Sequence, residues 1–169
     1  MVRKKDSNVS VYSWGDGSNG RLGHGDEKDV HTPSVVKALL AREVRSVNCG
    51  RSFSACTTAK GEVWMWGEGR GGVLGQGHEK DRFAPVLVSF ALSSKRVVKL
   101  SCGSAHVLAL TDAQEVFAWG SNAYGQLGLG MPAEPPPAVP TAAAAAAIVA
   151  AARDSANESA SSGSGSGRS

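Results

Sequence analysis

The sequence predicts an all-β fold: an incomplete β-propeller of two four-stranded blades plus one strand, with a disordered or partly helical C-terminal tail. Two observations carry this expectation. A fifteen-residue phrase is written three times, as VYSWGDGSNGRLGHG at 11–25, VWMWGEGRGGVLGQG at 63–77 and VFAWGSNAYGQLGLG at 116–130, starting 52 and then 53 residues apart. Repetition at a period near fifty with short strands marks a propeller or solenoid built from one supersecondary unit. The register also extends past the phrase. VRSVNCGRSFSACTTAKGEV (44–63) aligns with VVKLSCGSAHVLALTDAQEV (97–116) without a gap, and Pro33 answers Pro85.

Near-alternating apolar runs bordered by glycine read as strands near 9–14, 34–38, 44–49, 53–58, 62–66, 85–90, 97–102, 106–111 and 115–119. Grouped by the repeat, residues 34–66 form one four-stranded unit and 85–119 another, with 9–14 left as the last strand of a unit whose other three are absent. A propeller closes with about four to eight blades, so two complete blades leave bare outer faces and do not close a ring.

Composition divides the 169 residues into a short start at 1–8, a repeat region at 9–130 and a tail at 131–169. The repeat region with its start holds 18 of the 21 Gly, all four Trp and all three Cys, whereas residues 131–169 hold 13 Ala and no aromatic residue. Residues 1–8 are expected to be disordered. The Ala-rich run at 142–152 suits a frayed helix but is too short to span a bilayer. The SANESASSGSGSGRS that follows has the composition of a flexible linker. The net charge of +3 is small and dispersed, which argues against nucleic acid as a partner. No apolar segment follows MVRKK, so no secretory signal is read, and an intracellular location, cytoplasmic or nuclear, is expected. Cys49 and Cys102 share a repeat position in a strand, which suits small buried side chains better than a disulfide.

The phrase itself has a mechanical reading. Gly15, Gly20, Gly23 and Gly25, with their counterparts Gly67, Gly72, Gly75, Gly77 and Gly120, Gly125, Gly128, Gly130, suit a compact loop turning out of a strand. Leu22, Leu74 and Leu127 would plug that loop from beneath. Trp14, Trp66 and Trp119, which precede it, would lie between adjacent blades.

At these residues the chain resembles the regulator of chromosome condensation repeat family. The resemblance rests on Val11–Gly25, Val63–Gly77 and Val116–Gly130 with the partner strand at Ser101–Thr111, and covers about 120 residues. It departs from internal regularity where Phe53 stands opposite His106 and Gln114 opposite Gly61. The resemblance implies a propeller, seven-bladed in complete members, used for nucleotide exchange on the small GTPase Ran, inside ubiquitin ligases, or as a photoreceptor or scaffold. None of these activities transfers residue by residue, because the shared motif is the scaffold.

Chemistry is mostly declined on the residues. Gly15, Gly17, Gly20 and Gly67, Gly69, Gly72 spell G-x-G-x-x-G, but each runs into L-G-x-G, which opposes the helix a dinucleotide site requires, and the third copy has Asn122 at the middle position. The four His do not converge on a metal-ligand spacing, and Ser10, Ser13 and Ser54 lack a nucleophile elbow. No catalytic, cofactor or metal residue is assigned. The candidate binding surface is the pair of loops DEKDVH at 26–31 and HEKDRF at 78–83. Asp26, Glu27, Lys28 and Asp29 would share a rim with Glu79, Lys80, Asp81 and Arg82, either as solvated loops or as a repeated surface for a protein partner. The leading expectation is a non-enzymatic protein-interaction module, a piece of a larger repeat protein, whose partner is a small GTPase or a chain that completes the ring. The alternatives are a guanine-nucleotide exchange factor and the propeller part of a ubiquitin ligase.

Overall fold

A computed structural model describes residues 10–89 and 92–130. Within them lie nine strands: β1 (Tyr12–Gly15), β2 (Val30–Val35), β3 (Val44–Cys49), β4 (Phe53–Thr58), β5 (Val63–Gly67), β6 (Arg82–Leu87), β7 (Val97–Cys102), β8 (His106–Thr111) and β9 (Val116–Gly120). Short 3-10 turns stand at Ser18–Gly20, Lys37–Leu39 and Arg70–Gly72. Every strand pairing is antiparallel. The all-β partial propeller expected from the repeat is therefore the observed architecture. The start at 1–8 and the tail at 131–169 fall outside the described residues.

Nine strands are found as expected, although β2 and β6 begin four and three residues before the 34–38 and 85–90 read from the sequence. They group one strand out of step with the expectation. The sheets are β1-β2, β3-β4-β5-β6 and β7-β8-β9. One four-stranded sheet is thus flanked by a two-stranded and a three-stranded one, in place of two complete sheets and a single strand. The physical reason is the glycine loop. It reverses the chain, so the Pro-containing strand after it folds back on the Trp strand before it, with Trp64 opposite Leu87 and Met65 opposite Val86. The crossing to the next sheet comes later, over Lys37–Leu39, where Leu39 is buried.

Strand alternation places the two faces of the middle sheet in different cores. Phe53, Ala55, Val63 and Met65 pack toward the third sheet with Leu100, Val107, Ala109 and Trp119. Cys56 and Trp66 point the other way, into a cluster with Val11, Val36, Leu39 and Val44. Stability therefore comes from sheet stacked on sheet.

The joint between consecutive sheets is built the same way twice. Trp66 is 1% exposed and its indole N–H donates to the carbonyl of Arg21, 2.9 Å away, in the preceding glycine loop. Trp119 is 5% exposed and donates to the carbonyl of Val73 at 2.8 Å. The loop reaches this close only because Gly23 and Gly75 have no side chain. A Cβ on Gly23 would sit 2.7 Å from Trp66 Nε1, and one on Gly75 3.1 Å from Trp119 Nε1. Both also hold φ near +70°, at 77° and 65°, where a β-branched residue is strained. Gly23→Val is expected to cost about 2–4 kcal/mol through the clash and the strain together, measured by denaturant unfolding.

The cysteines differ from expectation. Cys49 is exposed and Cys102 intermediate, whereas Cys56 is buried. Cys49 and Cys102 end β3 and β7, which are edge strands paired on one side only. Burial pushes the Cys56 thiol up to about 12, and burial with the nearby Cys49 does the same for Cys102. Both stay protonated when folded, so their contribution to stability is full below the unfolded pKa near 9 and is lost as pH rises toward 12. Iodoacetamide at neutral pH is expected to modify Cys49 first and Cys56 only after unfolding, as peptide mapping by mass spectrometry would read.

Candidate protein-interaction rim

The twelve glycines at the positions shared by the three phrases hold positive φ, from 65° at Gly75 to 110° at Gly67, whereas Gly17 and Gly69 lie at −90° and −94°. Gly15, Gly67 and Gly120 end β1, β5 and β9, and Gly20 and Gly72 close 3-10 turns. Leu22, Leu74 and Leu127 are buried beneath the loops. Of the tryptophans, Trp66 and Trp119 sit between sheets, while Trp14 is 57% exposed.

The segments 26–29 and 79–82 fold against these turns at one end of the sheets. Asp29 Oδ1 accepts the backbone N–H of Gly17 at 3.0 Å, and Asp81 Oδ1 accepts that of Gly69 at 2.8 Å. Charge-assisted bonds of this kind are stronger than neutral ones and fix the loop. Glu27 Oε1 accepts the N–H of Asn19 at 2.9 Å, and Asn19 Nδ2 donates to Asp81 Oδ2 at 3.4 Å, which links the two loops. Asp26 accepts the N–H of Lys28 at 3.2 Å. Its ion pair with Lys28 Nζ, at 3.8 Å with the lysine 85% exposed, contributes little. Lys80 donates its N–H to His78 Nδ1 at 3.2 Å, and Arg82 lies 2.8 Å from His78 Nε2. A neutral imidazole offers only one acceptor nitrogen, so these two contacts compete. Glu79 is half-buried and Lys80 exposed. Asp29, Asp81 and Glu27 are thus spent on the loops, while Asp26, Lys28 and Lys80 face outward.

Beside these loops is a cleft of about 450 Å³ that the sequence reading did not single out. Asn19, Arg51, Glu68, Arg70, Ser104 and Ser121 line it, from all three sheets. The backbone N–H of Arg51 donates to the carbonyl of Ser104 at 3.1 Å, holding neighbouring turns together. A signal existed: Arg51 and Arg70 break the repeat, since their counterparts are Ser104 and, for Arg70, Ser18 and Ala123. Residues that a repeat does not share are free to carry recognition.

Among the described residues, Ser13 and Ser54 are engaged by backbone carbonyls. Ser13 Oγ lies 3.0 Å from His24 Nε2, but its hydrogen goes to the Leu22 carbonyl at 2.6 Å. The histidine is therefore placed to donate to the hydroxyl, opposite to what a general base does. Ser54 is likewise bound to the Arg21 carbonyl, at 2.8 Å. Among the described residues no group of three or more His, Cys, Asp or Glu could hold a metal ion, and no helix is long and apolar enough to cross a membrane.

Three stacked antiparallel sheets, joined through tryptophan and glycine at a fixed repeat, define a propeller-type repeat protein. The chain belongs to the regulator of chromosome condensation (RCC1) repeat family, whose profile matches residues 10–57, 60–110 and 114–152. It is 44% identical over 126 residues to the human E3 ubiquitin-protein ligase HERC2, covering 73% of this chain and 3% of that protein. It is 38% identical over 129 residues to the ultraviolet-B receptor UVR8 of Arabidopsis thaliana, covering 76% of this chain and 29% of the receptor. Among solved structures it resembles Prp20p of Saccharomyces cerevisiae, described with its binding to Gsp1p and histones, at TM-score 0.57 and 27% identity over 65% of this chain and 28% of that one. The chain thus spans less than a third of the length of each of these relatives.

Proposed function

We propose that this chain is a non-catalytic protein-interaction module that binds a partner through its loop rim. The observation that carries the reading is the cleft shared by three sheets, with Arg51 and Arg70 projecting beside loops already braced by Asp29 and Asp81. A braced surface loses little freedom on binding, and arginine is enriched where interfaces concentrate their energy. Asp26, Lys28, Lys80 and Arg82 would extend that surface, and the rest of the charged loop would set its polar border. The mixed charges suit an acidic or mixed protein surface.

The double variant Arg51→Glu, Arg70→Glu is expected to stay within about 0.5 kcal/mol of wild-type stability, since both sites are at the surface. It is expected to lose the proteins that immobilised wild-type chain retains, scored by quantitative mass spectrometry. Retention by wild type should also weaken as salt rises from about 50 to about 500 mM. Equal retention by both chains would refute the rim.

The likeness to Prp20p, a Gsp1p-binding protein, favours a second reading: guanine-nucleotide exchange on a small GTPase. Micromolar chain added to Gsp1p loaded with a fluorescent guanine nucleotide would accelerate release if this holds. An unchanged release rate would remove it. The match to HERC2 supports a third placement, as the propeller part of a ubiquitin ligase, with ligation carried out by segments other than these repeats.

A further inference from the structure

Among the described residues, neither Arg51 nor Arg70 makes a side-chain hydrogen bond or an ion pair. Other arginines of the rim are engaged: Arg21 pairs with Asp16 at 3.1 Å, and Arg82 lies 2.8 Å from His78 Nε2. Arg51 and Arg70 line the same cleft of about 450 Å³, with Ser52, Ser104 and Ser121 beside them. The hydroxyls of Ser52 and Ser104 are also without a partner among the described residues. That of Ser121 accepts the Ala123 N–H at 3.4 Å, which leaves its own hydrogen to donate. The backbone beneath is tied down three times. Arg51 N–H donates to the Ser104 carbonyl at 3.1 Å, Glu68 N–H to that of Ser52 at 2.9 Å, and Ser121 N–H to that of Ala105 at 2.8 Å. Donors are thus collected on a surface that has little freedom left to lose. The charges stand outside the repeat, since Ser104 answers Arg51, Ser121 answers Glu68 and Ala123 answers Arg70.

We infer that this cleft takes the phosphoryl group of a phosphoserine or phosphothreonine in a partner protein, with a basic residue of the same segment against Glu68. A carboxylate is satisfied by one arginine bound through two parallel N–H groups. Two arginines and three hydroxyls exceed that need. They match a phosphate monoester, which has three terminal oxygens and a charge of about −1.5 to −2 at pH 7. Arginine clusters are a recurring means of holding such groups in peptides. Glu68, half-buried, is the one carboxylate among the residues that line the cleft. It selects against segments that are acidic throughout and favours a lysine or arginine near the phosphorylated residue. The cleft is built from described residues of the second and third sheets and the first glycine loop. The inference rests on the rim reading, and the experiment separates the two.

The probe is a short fluorescein-labelled glycine-rich peptide with one phosphoserine and an arginine close before it. It is titrated with the full chain and read by fluorescence anisotropy, beside its unphosphorylated form and a form with aspartate in place of phosphoserine. The phosphorylated peptide is expected to bind at least about tenfold more tightly than either, the factor that one charge-assisted hydrogen bond supplies. Arg51→Gln and Arg70→Gln are each expected to lose about tenfold, with the near-UV circular dichroism of Trp66 and Trp119 unchanged. Glu68→Gln is expected to weaken the arginine-bearing peptide and to strengthen one with glycine in that place, a reversal that loss of structure would not produce. Equal binding of the phosphorylated and unphosphorylated peptides would overturn the inference. So would aspartate binding as tightly as phosphoserine, which marks a general acidic site. Lysate proteins that wild type retains and the Arg51→Glu, Arg70→Glu variant loses, with phosphatase treatment making no difference, would overturn it and leave the rim reading intact. Absence of a phosphopeptide preference together with equal retention by wild type and that variant would end both.

Discussion

The indole-to-carbonyl contact between successive sheets is the constraint on which the rest of this structure depends. It needs a tryptophan at the end of one strand, a carbonyl presented by the loop of the preceding unit, and no side chain at the point of approach. Trp66 with Arg21 and Gly23, and Trp119 with Val73 and Gly75, meet all three conditions. An indole N–H buried without an acceptor would forfeit about 1–3 kcal/mol, so the bond sets distance and rotation as well as adding stability. The tryptophan, the glycine and the leucine beneath the loop therefore recur as a set.

The sequence made the nine strands legible because glycine borders and apolar alternation are local signals. It did not reveal how they group, because pairing depends on where the chain reverses. The decisive loop, from Gly67 to Arg82, returns β6 to β5, although Pro85 suggested the opening of a new unit. Trp14 shows a second limit. Its phrase is equivalent to those of Trp66 and Trp119, yet it is exposed where they are buried, because burial of this residue is supplied by the loop of another unit. Equivalence in sequence fixes what a side chain can do, and its neighbours decide whether it does so.

The rim was legible only in part. The repeated order of charges in DEKD and HEKD drew attention to these loops. It could not separate Asp29 and Asp81, which accept backbone N–H groups of the glycine turns, from Lys28 and Lys80, which face solvent. That separation depends on the loop folding back on itself over twelve residues, as the Gly17–Asp29 and Gly69–Asp81 bonds record. The cleft with Arg51 and Arg70 required three sheets to be placed together, which no local pattern encodes.

The offset between covalent unit and sheet has a mechanical consequence. The first two family matches each begin at a tryptophan strand and end in the second strand of the following sheet, as 10–57 does by running from β1 into β4 and 60–110 by running from β5 into β8. Pulling one unit loose therefore rips two sheets at once. Neighbouring units should yield together under force, in large steps, where beads on a string would give way singly.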